Sequence, residues 1–287
     1  MPELPEVEIV VRQLQRQIVG TRIWTVTVHW PGVVAHPDVA TLLTELPGAQ
    51  ILAVARRAKY ALLHLNRART LLIHRRMSGN LLLVMPDQQD MPAHDRYCRV
   101  CFTLADGQEL RFSDPRKFGR VALWPDAKLP EVFRALGPEP LDPSFTPAML
   151  AARLAGNKRA IKVALLDQSV IAGLGNIYAD EALFAAGIHP LRPASTLALD
   201  EIVRLYRAIQ TVLVASIETG GTTFGRHRDV WGQAGSNLSN VAVYRRGGQP
   251  CVRCGTTITR IVLGGRGTHF CAQCQPAMVE TSILPVR

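Results

Sequence analysis

Pro2 and Glu3, in Met1-Pro2-Glu3-Leu4-Pro5-Glu6-Val7-Glu8, place a nucleophile beside a carboxylate at the start of the chain. Once Met1 is removed, Pro2 presents a secondary amine. An α-amino group ionises near 7.7–8.0, so roughly a tenth to a fifth of it is neutral at pH 7. A neutral amine can attack a carbonyl-like carbon and form a Schiff base. The element that must hold this pair is an amphipathic helix from Pro5, with Val7, Val11, Leu14 and Ile18 on one stripe and Gly20 as its C-cap. Pro5 suits a first helical position, and Glu6 and Glu8 suit the positive end of the helix dipole. That positive end lowers the amine's pKa and keeps Glu3 ionised.

A second chemistry lies in the cysteines. Cys251-Val-Arg-Cys254 and Cys271-Ala-Gln-Cys274 are two thiolate pairs separated by sixteen residues. Four soft ligands on facing turns make a closed tetrahedral zinc site with no open position, hence one structural zinc. Cys98 and Cys101 fall within an expected strand, where positions i and i+3 face opposite sides, and read as packing residues.

Four other stretches suit contacts to a polyanion. Asp114-Pro115-Arg116-Lys117-Phe118-Gly119 places a guanidinium fork and an aromatic wedge two residues apart, able to enter a duplex and read the base left by a flipped partner. His74-Arg75-Arg76-Met77-Ser78-Gly79 adds an apolar probe, Met77, and a phosphate ligand, His74. Arg266, in a Gly-rich turn five residues before Cys271, suits a phosphate contact, and Asn176 is expected to be an N-cap whose backbone receives an anion. Taken singly, each has a plain structural reading: a stable N-terminus, a capped corner, a core methionine, or a solvated Lys59.

The elements that position these residues divide along the chain. Residues 21–124 read mostly as strands: Ile23–Val28, Ala61–Leu65, Leu71–His74, and Arg99–Leu104 joined to Glu109–Phe112 through Ala105-Asp106-Gly107-Gln108, a hairpin signal. Helical patterns follow at Pro147–Leu154, Ala160–Leu166, Ile177–Ala186 and Leu199–Glu218, then short strands and turns around the four cysteines. The expected fold class is α+β. The expected domains are a β-sandwich with flanking helix over 1–130, a hinge over 131–146, a helical domain over 147–243 and a zinc finger over 244–287.

The formal charge is +10 over 287 residues, and from Gly220 onward eight arginines face one Asp and one Glu. This favours a polyanionic partner. No secretory leader pattern or membrane-length apolar run is seen, so a reducing cytoplasm is expected.

In this order, Pro-Glu-Leu-Pro-Glu, the Lys59 segment, His74…Met77-Ser-Gly, Asp-Pro-Arg-Lys-Phe-Gly, Gly-Asn-Ile-Tyr-Ala-Asp-Glu and the four-cysteine finger resemble the formamidopyrimidine-DNA glycosylase family over nearly the whole chain. The resemblance implies a helix–two-turns–helix motif in the helical domain and a cleft that takes duplex DNA with damaged bases, bound by a monomer. It implies excision of oxidised purines such as 8-oxoguanine and formamidopyrimidines, then strand cutting by β- and δ-elimination. Pro2 would be the nucleophile, Glu3 the acid/base and Lys59 a contact near the reacting nucleotide. Met77, Arg116 and Phe118 would fill the vacated stack, His74, Asn176 and Arg266 would hold phosphates, and Lys162 would lie near the site. Two departures stand out. The loop thought to cover the flipped base reads Phe224-Gly225-Arg226-His227-Arg228-Asp229-Val230-Trp231, and Lys117 replaces a commoner Arg. The altered loop leaves open a preference for oxidised pyrimidines. A non-catalytic lesion-binding protein on the same scaffold is the alternative of a different class.

Overall fold

A computed structural model describes residues 2–86, 95–225 and 227–277. Met1, Arg226 of the divergent loop and the last ten residues of the expected finger segment lie outside them. The chain forms two compact units, one of residues up to Leu136 with Leu213–Ser239, the other of Gly137–Val212 with the chain from Asn240. Residues 213–239, which the sequence reading placed with the helical domain, thus group with the N-terminal unit.

In the first unit, α1 (Leu4–Ile18) begins one residue earlier than expected and buries Val7, Val10, Val11, Leu14 and Ile18. It packs beside β3 (Ile51–Arg57) and β4 (Tyr60–Leu65). These strands end a five-stranded sheet in the order β2-β9-β5-β4-β3, with β2 at Val34–His36, β5 at Arg69–His74 and β9 at Arg120–Pro125. A four-stranded sheet runs β1-β7-β8-β6, with β1 at Ile23–Val28, β6 at Asn80–Val84, β7 at Cys98–Leu104 and β8 at Glu109–Ser113. Leu63, Leu71, Ile73 and Val121 from one sheet and Leu81, Leu83, Phe102, Leu110 and Phe112 from the other form one buried cluster, the core of a β-sandwich. Each such side chain contributes about 1.5–3 kcal/mol by leaving water. Val230 belongs to that core and Trp231 packs against it, which is why their segment groups with this unit. Short helices α2 (Val39–Glu45) and α3 (Leu129–Val132) complete it.

One expectation about this sheet is corrected. Cys98 pairs with Ser113 and Cys101 with Arg111, but the register slips between Cys98 and Val100. The extra residue of this bulge restores the phase, so Cys98 and Cys101 share a face instead of opposing each other. Both line one groove with His29, Asp95 and Glu109. Burial, and second the neighbouring Cys101, pushes the Cys98 thiol up to about 12; burial and Glu109 push Cys101 up to about 11.

In the second unit, α4 (Pro147–Leu154) is N-capped by Thr146. α5 (Ile161–Leu166) and α6 (Asn176–Ala186) enclose two turns, and α7 (Leu199–Glu218) follows, its residues from Leu213 on belonging to the first unit. Gln168 stitches the turns, accepting from the Gly173 amide at 3.0 Å and donating to the Leu174 carbonyl at 2.8 Å. α6 is buried on nearly every side, which suits a central helix of the unit. The finger contributes a two-stranded hairpin of β10 (Thr259–Leu263) and β11 (Arg266–Phe270). Gly264 and Gly265 form its turn at φ +56° and +72°, the left-handed pair that a two-residue hairpin demands. Among the described residues, no helix is long and apolar enough to cross a membrane.

Candidate active site

Pro2 is buried, and Glu3 is 2% exposed as the N-cap of α1. Its amide donates to Glu6 Oε2 at 2.8 Å, half of a reciprocal capping box. The other oxygen of Glu6 accepts from the Thr222 amide at 2.9 Å. One buried carboxylate therefore ties the residue beside Pro2 to the start of the 222–231 loop. Farther along α1, Glu8 bonds Arg56 Nε at 2.7 Å, and the guanidinium's Nη1 reaches the Ala58 carbonyl at 3.1 Å. Burial raises the Glu8 carboxyl, but the hydrogen bonds and charges of Arg12 and Arg56 outweigh it and leave Glu8 below the usual carboxylate range. The two Arg56 bonds fix the β3–β4 turn against the same helix.

Lys59 sits in that turn and is 7% exposed, so it is no solvated surface charge. Tyr60 pairs with His74 across β4 and β5, with its ring edge-on to the imidazole at 4.5 Å. This pairing brings Lys59 and His74 together. Burial, then the charges of Arg76 and Lys59, drives His74 down to about 3, so the ring is neutral at pH 7. Its Nδ1 accepts from the Arg76 amide at 3.0 Å. The tautomer is thereby set, and Nε2–H is left as a hydrogen-bond donor suited to a phosphate oxygen.

The turns that carry Met77 and Phe118 are organised by a residue to which the sequence reading gave no role. Asp114 is fully buried, and its Oδ1 accepts from Ser78 Oγ at 2.5 Å and the Arg116 amide at 3.1 Å. Oδ2 accepts from the amides of Phe118 at 2.8 Å and Gly119 at 2.7 Å. The available signal was Asp-Pro, the start of an Asx-type turn. Both turns also lie against Phe112, since a Cβ at Gly79 or Gly119 would come within 2.7 or 2.2 Å of its ring. Met77 and Phe118 are left 45% and 43% exposed, with the Arg116 guanidinium 4.6 Å over the Phe118 ring. Ala58, Arg76 and Lys117 hold φ of +52°, +51° and +59° in these three turns. Left-handed backbone at such residues costs roughly 1–2 kcal/mol each, and such strain gathers at binding sites.

In the second unit, Asn176 is the first residue of α6 and Gly175 is its N-cap, a correction to the expectation that Asn176 caps. Its side-chain amide donates to the Gly267 carbonyl at 2.9 Å, next to the exposed Arg266, so the two expected phosphate contacts are held together. Lys162 is corrected as well. It is fully buried, with Nζ 2.6 Å from Asp180 Oδ1 and 2.8 Å from the Asn176 carbonyl, and offers no surface to DNA. Asp180 also takes the His269 amide at 3.0 Å, and Glu181 accepts from the amides of Ala242, Val243 and Tyr244. The two acids of α6 thus hold the finger's base.

The Sγ atoms of Cys251, Cys254, Cys271 and Cys274 lie within 4.8 Å of one another, with pairs at 3.9 and 3.5 Å. Four sulfurs at about 2.3 Å from one zinc are about 3.8 Å apart. Hydrogen bonding from Thr256 holds Cys254 down to about 6, whereas desolvation and the neighbouring thiols push Cys274 up to about 12. The mutual spacing of the four sulfurs fits one structural zinc.

Residues 1–121 match the model of the formamidopyrimidine-DNA glycosylase N-terminal domain, 136–227 that of its H2TH (helix–two-turns–helix) domain, and 248–277 that of a zinc finger found in FPG and IleRS. A formamidopyrimidine-DNA glycosylase of Symbiobacterium thermophilum is 46% identical over 100% of this chain and 93% of its own length. That of Herpetosiphon aurantiacus is 47% identical over 96% of this chain and 100% of its own. The chain belongs to the formamidopyrimidine-DNA glycosylase family. A solved complex of a Lactococcus lactis family member with DNA containing Fapy-dG superposes with a TM-score of 0.88 at 34% identity, covering 96% of this chain and 100% of that one. A complex of the Lactococcus lactis protein with abasic DNA gives the same values. In the divergent loop, Asp229 accepts from Gln13 Nε2 at 2.9 Å and Val230 enters the core.

Proposed function

We propose that this chain is a bifunctional DNA glycosylase and apurinic/apyrimidinic lyase that removes 8-oxoguanine and formamidopyrimidines from duplex DNA. It acts as a monomer on chromosomal DNA in a bacterial cytoplasm. The observation that carries the reading is the start of α1, where Pro2 and Glu3 are buried at the positive end of a 15-residue helix and clamped by Glu6. Named relatives that match the chain almost end to end support it. With Met1 removed, the Pro2 nitrogen attacks C1′ of the damaged nucleotide, and the base leaves as the sugar ring opens with help from Glu3. The resulting iminium acidifies the C2′ hydrogens. Loss of one expels the 3′ phosphate, and a further elimination expels the 5′ phosphate. Lys59 and His74 face the backbone near the reacting nucleotide. Met77, Arg116 and Phe118 fill the space vacated by the flipped base, with Arg116 reading the opposite base, and Asn176 and Arg266 hold phosphates. Cys251, Cys254, Cys271 and Cys274 would hold zinc, which supplies folding energy to the finger and no chemistry to the reaction.

Borohydride trapping on duplexes carrying 8-oxoguanine opposite cytosine or a preformed abasic site tests this. Adducts on both, borne by the N-terminal peptide and lost in Pro2→Gly, are expected. Trapping that survives Pro2→Gly would overturn the nucleophile. Tight binding with no adduct on either duplex would make the chain a non-catalytic lesion binder. An adduct on the abasic duplex alone would favour a second reading, a preference for oxidised pyrimidines, which the altered loop and a solved Lactococcus lactis complex with oxidised-pyrimidine DNA support.

A further inference from the structure

Arg75 is 1% exposed, and three stretches of chain converge on its guanidinium. Nε donates to the Gly79 carbonyl at 2.9 Å, closing the turn that carries Met77. Nη1 donates to the Glu6 carbonyl at 3.1 Å, in the first turn of α1. Nη2 faces Asn80 Oδ1 at 2.8 Å, the Arg228 carbonyl at 2.8 Å and His227 Nδ1 at 3.0 Å. Burial lowers its pKa to about 9, while the Glu6 and Asp229 carboxylates oppose that shift. Desolvation, then the Arg75 charge, pushes His227 well below its usual range, so its Nδ1 is available to accept. A fully buried cation is costly to keep unless its acceptors are fixed. Arg75 therefore sets where these stretches lie relative to one another.

The stretch gripped from the far side is firmly held. Asn80 Oδ1 also accepts from the Arg228 amide at 3.0 Å, the Val230 amide donates to Gln13 Oε1 at 3.2 Å, and the Leu83 amide donates to the Val230 carbonyl at 2.8 Å. At its other end the loop is tied through Thr222 to the Glu6 carboxylate that also holds Glu3. Thr222 thus lies near the reactive end of the chain, and His227 and Arg228 are held by Arg75.

We infer that Arg75 is a positioning residue for base recognition: it locks segment 227–231 and the Met77 turn to the start of α1, making a fixed wall beside Pro2 and Glu3 for the extruded base. This rests on the activity proposed above. Arg75 makes no bond to the base. A loop released from it leaves the amine free to react with an open abasic sugar but loses the alignment of an intact damaged nucleotide.

The test measures single-turnover excision of 8-oxoguanine and cutting of a preformed abasic site side by side on the full chain. Arg75→Lys keeps the charge and loses the fork. Excision should fall about 100-fold, the scale of a misplaced reacting group, with abasic cutting unchanged. His227→Phe should give the same split, and His227→Asn, which keeps an acceptor near the Nδ1 position, should restore excision. Leu42→Ala, a core change on α2, controls for general destabilisation and should keep the ratio of the two activities. Equal loss of both activities in Arg75→Lys and His227→Phe, or full excision in either, would overturn the inference and leave the activity reading standing. An unsubstituted chain that is not trapped on abasic DNA would overturn both.

Discussion

Replacing Asp114 removes the acceptor on which the Met77 and Phe118 turns are hung. Its carboxylate is fully buried and takes the Ser78 hydroxyl and the amides of Arg116, Phe118 and Gly119 at 2.5–3.1 Å. A hydrogen bond to a charged acceptor contributes roughly 1.5–3 kcal/mol, so these bonds set a ceiling of roughly 6–12 kcal/mol. Water entering the vacated space recovers part of this, and the desolvation of the carboxylate is no longer incurred. Asp114→Ala should therefore cost about 3–5 kcal/mol, the range for breaking a buried charged network. Asp114→Asn should cost less. Its oxygen can stay on the Phe118 and Gly119 amides while its nitrogen faces a Ser78 hydroxyl that is free to rotate and accept, so the Arg116 amide bears most of the loss. Thermal unfolding followed by circular dichroism is the assay. At about 2–4 °C per kcal/mol for a unit of this size, Ala should lower Tm by roughly 6–20 °C and Asn by clearly less. A Tm drop below about 2 °C for Asp114→Ala would refute the argument, as would Asn and Ala being equally destabilising.

Lys162→Met should cost about 3–5 kcal/mol by leaving Asp180 buried without its cation, while the folded fraction binds DNA normally; weakened DNA binding with an unchanged Tm would restore Lys162 as a DNA contact. His74 has a folded pKa of about 3 against an ordinary 6.5. The unfolded chain takes the proton first, so this neutral ring's contribution is complete above about pH 6.5 and is lost as pH falls toward 3. Urea midpoints of the unsubstituted chain should thus fall more steeply than those of His74→Asn between about pH 6.5 and 4, and parallel curves would dismiss the effect. Metal analysis should find about one tightly held zinc, and Cys271→Ser should lose it together with DNA binding while the β-sandwich still unfolds cooperatively; a metal-free folded chain that binds DNA normally would exclude the structural role.

What the sequence determined by itself was whatever neighbouring residues decide among themselves. The apolar stripe of α1, the pattern over Leu199–Glu218, the Asp-Gly hairpin between β7 and β8 and the spacing of the four cysteines are written within short windows, and the corresponding elements and cluster form as the sequence implies. Tertiary structure decided the rest, because the deciding partner is far along the chain. Arg75 and Arg76 read alike in sequence, yet Arg75 becomes a buried hub because Glu6 and Arg228 bring carbonyls to it. Lys162 is expected near the DNA, but Asp180 on the next helix pairs with it inside the fold. Asn176 has the chemistry of a cap, yet Gly175 takes that position while the Asn amide spans to Gly267. A single bulged residue reverses the facing of Cys98 against Cys101, since strand side chains alternate with period two and one insertion inverts the phase. Val230 lies in the divergent loop, but the sandwich core takes it in. Periodicity and ligand spacing are local and legible; the choice between a surface charge and a buried one depends on which distant acceptors and apolar walls the fold delivers.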